Sequence, residues 1–559
     1  MIEMLLALPV VLAALHGGQY IPPAPDPGVP PPVNGIVAQP GLGPQLEFDP
    51  SRWEWWFDFN QEPLLDVKSR MPTRARTAGA RFEAVTADDR TSLVLPLLVD
   101  ALRDKISVRM VAPRINTRDV RAAAVLSLGR LQRTEAVPYI ELVLESDPDL
   151  FVRTQALLAM GFSGSPQAVE TLVRLFRDDG QGAEIRTYAA AGLALLGTAE
   201  ALDVLRAALA EKTLGGFNNQ LRGAVIYAAG LTGDASLGAP LRALADSHLF
   251  GSQADVRALT AFALGRLGEP ASVPLLLKLL ADSDNQVRRS AAAAFEAWPG
   301  TLQPAEVETL IARAAAENDA SARRVLFHAL GRTRSEPARA WLQAALPDGR
   351  SDDRPHIALG LALDGHFTDA APLLASLQDE HEASHVGALA IALGVLASPD
   401  AVDPLLARFQ EARDPLLQSN LSLAMGLLDA RTPEVAQRLE DQARTSTDVE
   451  VIRSSIIGLG LLGERARLAG LSTDMAKLPG AVHRAAVLHG LGLVGDRSTL
   501  EPLMAMARDE TQPAYVRAYA IQALGELADP RQLSPCWRLS ADVEMNLDVG
   551  FLFELYRVL

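Results

Sequence analysis

The sequence predicts an all-α solenoid, an α-α superhelix of about thirteen two-helix repeats, and three observations predict it. A ten-residue motif, Val-Arg-x-x-Ala-x-x-Ala-Leu-Gly, recurs with a mean spacing of 33 residues. Self-similarity at such a period marks a repeat architecture. Apolar residues make up 48% of the 559-residue chain but aromatics only 5%, so the hydrophobic mass is mainly Ala, Leu and Val, a composition that suits helices. Small and large apolar residues also alternate in register in every copy, as closely packed helices require.

The motif reads VRAAAVLSLG at 120–129, VRTQALLAMG at 152–161, VRALTAFALG at 256–265 and VRAYAIQALG at 516–525. Its last position falls at 129, 161, 194, 230, 265, 296, 331, 360, 394, 426, 460, 492 and 525, and is Gly everywhere except Ala194 and Glu296. Two residues earlier stands Gly, Ala or Ser in every copy; Ser127 is the one serine. The final glycine reads as a helix C-terminal signal. Arg recurs eight residues before it, as in Arg121, Arg153, Arg257 and Arg517, and Asp149 and Asp284 lie four residues ahead of such an arginine. A structural ladder of Arg–Asp contacts along the turns is expected. Between motifs lie second amphipathic segments such as 135–146 and 271–282, with Pro138, Pro274, Pro372 and Pro404 where a first helical turn tolerates proline. Packed about 8–10 Å apart, thirteen units would form an open arc of roughly 100–130 Å, with the motif helices on its concave side.

The flanks divide the chain further. Met4 to Leu15 is a 12-residue apolar stretch, of signal-peptide length and too short to span a membrane. Residues 1–15 are therefore expected to direct export to the periplasm, cell envelope or medium. Residues 16–50 hold ten prolines and six glycines and read as a disordered tether. Residues 51–89 form a Trp-rich N-terminal cap and basic linker, 90–530 the solenoid and 531–559 a C-terminal cap, apolar at Val549, Phe551, Leu552, Leu555 and Leu559.

Charge limits the partners. The net charge is −16: −7 over residues 1–66, +6 over 67–118 and −15 over the rest. An acidic chain does not suit general nucleic-acid binding. The single cysteine, Cys536, rules out an internal disulfide or a multi-cysteine zinc site in this chain. Protein partners remain, and the candidate contacts are of three kinds. Trp53, Trp55, Trp56, Phe57 and Phe59 form an aromatic box, either capping the first repeat or docking a partner. Phe217, Leu249 and Phe250 lie in the extended loops 214–220 and 247–253 on one edge of the array. Arg109 and Arg114 belong to the one basic cluster, in an insertion spanning 105–118.

The repeats resemble short bacterial HEAT repeats of the phycobilisome-lyase HEAT-like type. The front end, His-Gly-Gly-Gln-Tyr at 16–20 followed by the Pro/Gly stretch and the Trp box at 53–59, is similar to exported bacterial HEAT-repeat proteins. This resemblance implies export and a non-catalytic scaffold for protein–protein contacts. No cofactor is expected. Two enzyme-associated alternatives stand beside it. One is a phycobilin-lyase-like module, for which no specific motif stands out. The other is a metal-dependent hydrolase built on His381, Glu382 and His385, which match H-E-x-x-H. That chemistry needs both histidines on one helical face, whereas the repeat register starts the helix only near His385. Deoxyhypusine hydroxylase, another HEAT-repeat enzyme, needs several His-Glu dipeptides for its iron pair, and this chain has one.

Overall fold

The computed structural model describes residues 52–75, 82–103 and 118–532, without the side chains of 72–75. Within them there are helices and no strands. The motif segments form thirteen inner helices, each preceded by a mostly shorter outer helix such as Val137–Ser146, Ala168–Arg177 or Leu500–Arg508. Two N-terminal helices come first, α1 (Trp53–Leu65) and α2 (Val67–Ala75). The inner helices are α3 (Arg118–Arg130), α4 (Leu150–Phe162), α5 (Ala183–Leu196), α6 (Asn219–Leu231), α7 (Ala254–Leu267), α8 (Asn285–Glu296), α9 (Ala320–Arg332), α10 (Arg354–Leu363), α11 (Ala383–Leu396), α12 (Pro415–Leu427), α13 (Val449–Leu462), α14 (Ala481–Val494) and α15 (Ala514–Ala528).

Each inner helix packs on the next, and the last packs on the first: α15 lies against α3 as extensively as most consecutive pairs do. The thirteen units form a closed ring, not the open arc expected from the repeat count. At about 9–10 Å per helix, the inner wall has a circumference of roughly 120–130 Å. The sequence expects a C-terminal cap over 531–559, while in this fold α3 packs on the end helix α15. Residues 533–559 lie outside the described residues.

The motif glycine has a different job from the one its position suggests. It sits inside the helix and admits the neighbouring backbone. A Cβ on Gly230 would stand 2.6 Å from Ala263 Cα, and one on Gly161 or Gly492 would stand 2.8 Å from Gly192 O or from Ala523 Cα. In each case the partner is the small residue two before the motif end in the next unit. The true helix stop lies three residues further on, where the chain enters the left-handed region at Gln132, Gly164, Gly197, Gly233, Gly268, Arg334, Ala397, Asp429, Gly463 and Gly495.

The arginine ladder exists with other rungs. Arg121 grips Asp147 (2.7 and 3.1 Å), Arg257 grips Asp282 (2.8 and 2.9 Å), Arg288 grips Glu317 (2.9 and 3.1 Å) and Arg323 grips Asp353 (2.9 and 3.0 Å), each acid belonging to the turn of the following unit. Arg153, Arg186 and Arg517 instead donate to the carbonyls of Leu144, Phe176 and Ala507 at the end of their own outer helix. Asp149 and Asp284 cap the inner helices, accepting from Phe151 N and from Gln286 and Val287 N.

Candidate functional site

The aromatic box does not cover an end of the array. Helix α1 lies inside the ring, with Trp53, Trp55, Trp56, Phe57 and Phe59 all buried. An alternating run of rings and acids would leave apolar surface on any face of an isolated helix. Enclosure by the inner wall removes that surface from water. The polar edges of two of the indoles are also met. The Trp53 indole N–H donates to Ser384 Oγ at 2.9 Å, and Ser384 in turn donates to the Glu54 carboxylate. The Trp56 indole N–H donates to Glu296 Oε1 at 2.8 Å, and its ring lies 4.2 Å from that of His328.

Further along α1, Gln61 accepts from Arg453 at 3.5 Å, and Arg453 is held by Glu450 at 2.5 Å. Burial, with Glu450 beside it, raises the Asp58 carboxyl well above its usual range. Helix α2 places Lys68 where its Nζ donates to the Glu526 carbonyl at 2.6 Å. Burial lowers that ammonium, against the pull of Asp529 and Glu526. The contacts of the N-terminal helices thus run from α8 round to α15. The five rings offered by sequence as a partner surface are, in this fold, internal to the chain.

Sequence reading missed the residues that receive α1. One signal was present. Glu296 is the single charged residue at the motif's last position, and it is the acceptor for Trp56. His328 had no such mark. It lies beside His356, their Nε2 and Nδ1 atoms 3.1 Å apart. Burial, then the Arg332 guanidinium, pushes the His328 imidazole down to about 3, so its 3.6 Å approach to Glu296 is between a neutral ring and a carboxylate.

The extended loops meet at the edge where outer helices turn into inner ones. Phe250 is buried beneath the Arg222 guanidinium (5.2 Å). Phe217 is half-buried, edge-on to Phe176 and under Arg186 (5.4 Å). Each ring packs on the repeat before its own, Phe217 on the unit of Phe176 and Arg186 and Phe250 on the unit of Arg222. Leu249 alone of the three remains outside, 50% exposed, resting on Gly215. Beside it a cleft of about 680 Å³ opens between consecutive turns, lined by Asp179, Arg186, Lys212, Phe217 and Asn218 among others. Ser247 Oγ donates to Glu211 at 2.6 Å and ties the two loops together. Arg109 and Arg114 lie outside the described residues.

The H-E-x-x-H residues do not share a helix. Helix α11 begins at Ala383, Glu382 is its N-cap and the exposed His381 precedes it in the turn. His385 is buried between two carboxylates, Glu380 at 3.3 Å and Glu382 at 3.2 Å. Among the described residues no group of three or more His, Cys, Asp or Glu side chains is placed to hold a metal ion. No helix among them is long and apolar enough to cross a membrane.

The fold is thus a ring of antiparallel helix pairs stacked by small residues. The family model for HEAT repeats matches residues 116–183, 211–296, 249–331 and 465–542, and the fold is a HEAT-repeat solenoid. Two solved structures are similar. The complex of CpcE and CpcF of phycocyanin lyase from Nostoc sp. PCC7120 is 20% identical over 46% of this chain and 94% of that chain, with a TM-score of 0.30. Human deoxyhypusine hydroxylase in complex with glycerol is 19% identical over 54% of this chain and 98% of that chain, with a TM-score of 0.23. No curated protein matches.

Proposed function

We propose that this protein is a non-catalytic scaffold that binds protein partners in the cell envelope or outside the cytoplasm. The observation that carries the reading is how its surfaces are allotted. Solenoids commonly bind along their concave face, and here an arc of that face is taken by the chain's own aromatic helix. The outer helices and the turn edge are left for partners. On that edge the half-exposed Leu249 stands next to the cleft of Arg186, Lys212 and Phe217. An apolar side chain beside a recess with cationic and aromatic walls fits a partner's side chains better than a flat charged surface does. The apolar stretch at residues 4–15 supports export, and the Pro/Gly-rich residues 16–50 would give the ring reach from an attachment point.

The test is affinity purification of the full chain beside Leu249→Asp. The wild-type protein should retain a stoichiometric partner, and the variant should lose it with an unchanged melting temperature. Equal capture by both removes the turn edge from the reading, and failure of the wild type to retain any partner removes the scaffold. Stoichiometric zinc lost in His381→Ala would replace it with a metal-dependent function. Fractionation of a C-terminally tagged chain tests location: retention in the cytoplasm overturns export.

A further inference from the structure

Twelve of the thirteen inner-helix interfaces join units that are consecutive in the chain. The thirteenth, α15 on α3, joins the two ends of the array and is held by non-covalent contacts alone. It repeats the register of the others: Gly525 faces Ser127, the small residue two before the motif end, at the distance where a Cβ could not fit. It also carries polar bonds across the joint. Ser127 Oγ donates to Ile521 O at 3.1 Å, and Arg130 pairs with Glu526 at 3.3 Å, both side chains buried.

Two straps cross this joint in opposite directions. On the N-terminal side, Glu83 O accepts from Arg497 N at 2.8 Å, and Asp89 takes the Arg497 guanidinium with both oxygens, at 2.8 and 2.6 Å. Arg497 belongs to the turn that leads into the last unit, so the lead-in to the first unit grips the lead-in to the last. On the C-terminal side, Asp529 orients Arg531 (2.8 and 2.7 Å), which donates to Phe162 O at 3.2 Å and lies over the Phe162 ring. Phe162 ends α4, so this strap reaches past the first unit to the second. From inside, Lys68 reaches Glu526 at the same place.

We infer that the ring opens and closes at this one joint, with residues 82–89 and 529–531 as its clasp, so that the interior becomes accessible from the side while the other units stay stacked. Repeat arrays are stabilised by nearest-neighbour terms, and local opening follows the weakest of them. Here the interface that differs from the rest is the one that no loop between consecutive units holds together. The clasp is largely ionic and Arg497 is 40% exposed at its side chain, so salt should loosen it.

Hydrogen exchange of the full native chain tests the inference, comparing wild type with Arg497→Ala/Arg531→Ala. Amides of α3 and α15 should exchange about tenfold or more faster in the variant, as helices at an open end fray, while α9 on the far side keeps its protection. Equal acceleration all round the ring, or none at the joint, overturns it. If the double variant does not fold, the wild type in about 0.1 M and about 1 M salt gives the same reading: acceleration confined to α3 and α15 supports the clasp, and a uniform response overturns it.

Discussion

Gly230 and Gly470 should respond in opposite directions to the same substitution. Both lie inside helices, where replacing Gly by Ala gains about 0.8–1 kcal/mol of helix propensity. At Gly470, on the outer helix Arg465–Thr473, the new methyl would meet only Arg444 Nη2, at 3.6 Å, an ordinary contact. The propensity term should stand alone there, and Gly470→Ala should stabilise by about 0.5–1 kcal/mol. At Gly230 the methyl would stand 2.6 Å from Ala263 Cα and 2.8 Å from Ala263 Cβ. Carbon atoms rest about 3.5–4.0 Å apart, so α6 and α7 must part by roughly 1 Å. No rotamer change relieves the clash, because one of the opposing atoms is backbone and the other has no rotor. Overpacking of this kind costs about 1–3 kcal/mol, and separation also strips contacts along the rest of the interface. The net should be a loss of about 1–2 kcal/mol. Urea unfolding followed by tryptophan fluorescence and far-ultraviolet dichroism reads both variants on one scale. A Gly230→Ala midpoint at or above wild type would refute the claim that the motif glycine exists to admit the neighbouring helix.

Two further outcomes follow from the backbone and from a buried ring. Ala397 holds φ 52°, ψ 36° at the end of α11, where six other units place glycine; Ala397→Gly should raise stability by about 0.5–1 kcal/mol in the same urea assay, since relief of left-handed strain outweighs the added freedom of the unfolded chain. His328, facing Glu296, Arg332, His356 and Trp56, is depressed to about 3 when folded, against about 6.5 unfolded. The native state therefore binds fewer protons across that window, so the stability due to this ring is complete above about pH 6.5 and is lost as pH falls toward 3. His328→Gln should flatten the slope of stability against pH between those limits, and an unchanged slope would show that the ring does not stay neutral.

The two-helix unit, its period, the inner placement of the motif helices and the prolines of the outer helices were legible because each is a local rule repeated thirteen times. Whatever differs between units was not. The arginine register was plain, yet its acid stands in the next unit's turn, 25 to 30 residues on, where spacing alone cannot choose between Asp147 and the capping Asp149. The final glycine was noticed and given the wrong task, because close approach of backbones and a left-handed stop both select glycine. Only the position three residues later, where Gln132, Arg334, Ala397 and Asp429 replace glycine and still take positive φ, separates the two. For the aromatic box, the sequence offered capping of the first repeat or docking of a partner, and no local pattern named the inner wall that receives it.

Closure itself is a global property carried by very small local terms. Thirteen units close a ring when each turns by about 28° from its neighbour, and a change of two or three degrees per unit would leave a gap the width of a helix or force an overlap. No single residue encodes such an angle. What the sequence does hold is the consequence of closure, written at the two ends of the array. An open solenoid presents its first and last units to water or to caps, and has no reason to match them to each other. Here the first inner helix carries the one serine of the small-residue series, Ser127, and a buried Arg130, while the last carries Glu526, the only acid at the position equivalent to Arg130. These residues are costly to bury without partners, and the Arg130–Glu526 and Ser127–Ile521 contacts form only if the ends meet. The pairing of exceptional residues at opposite ends of a regular array is therefore the mark that distinguishes a ring from an arc. Arg130→Leu paired with Glu526→Leu should accordingly be better tolerated than Glu526→Leu alone, which leaves the buried Arg130 guanidinium inside the joint without this carboxylate.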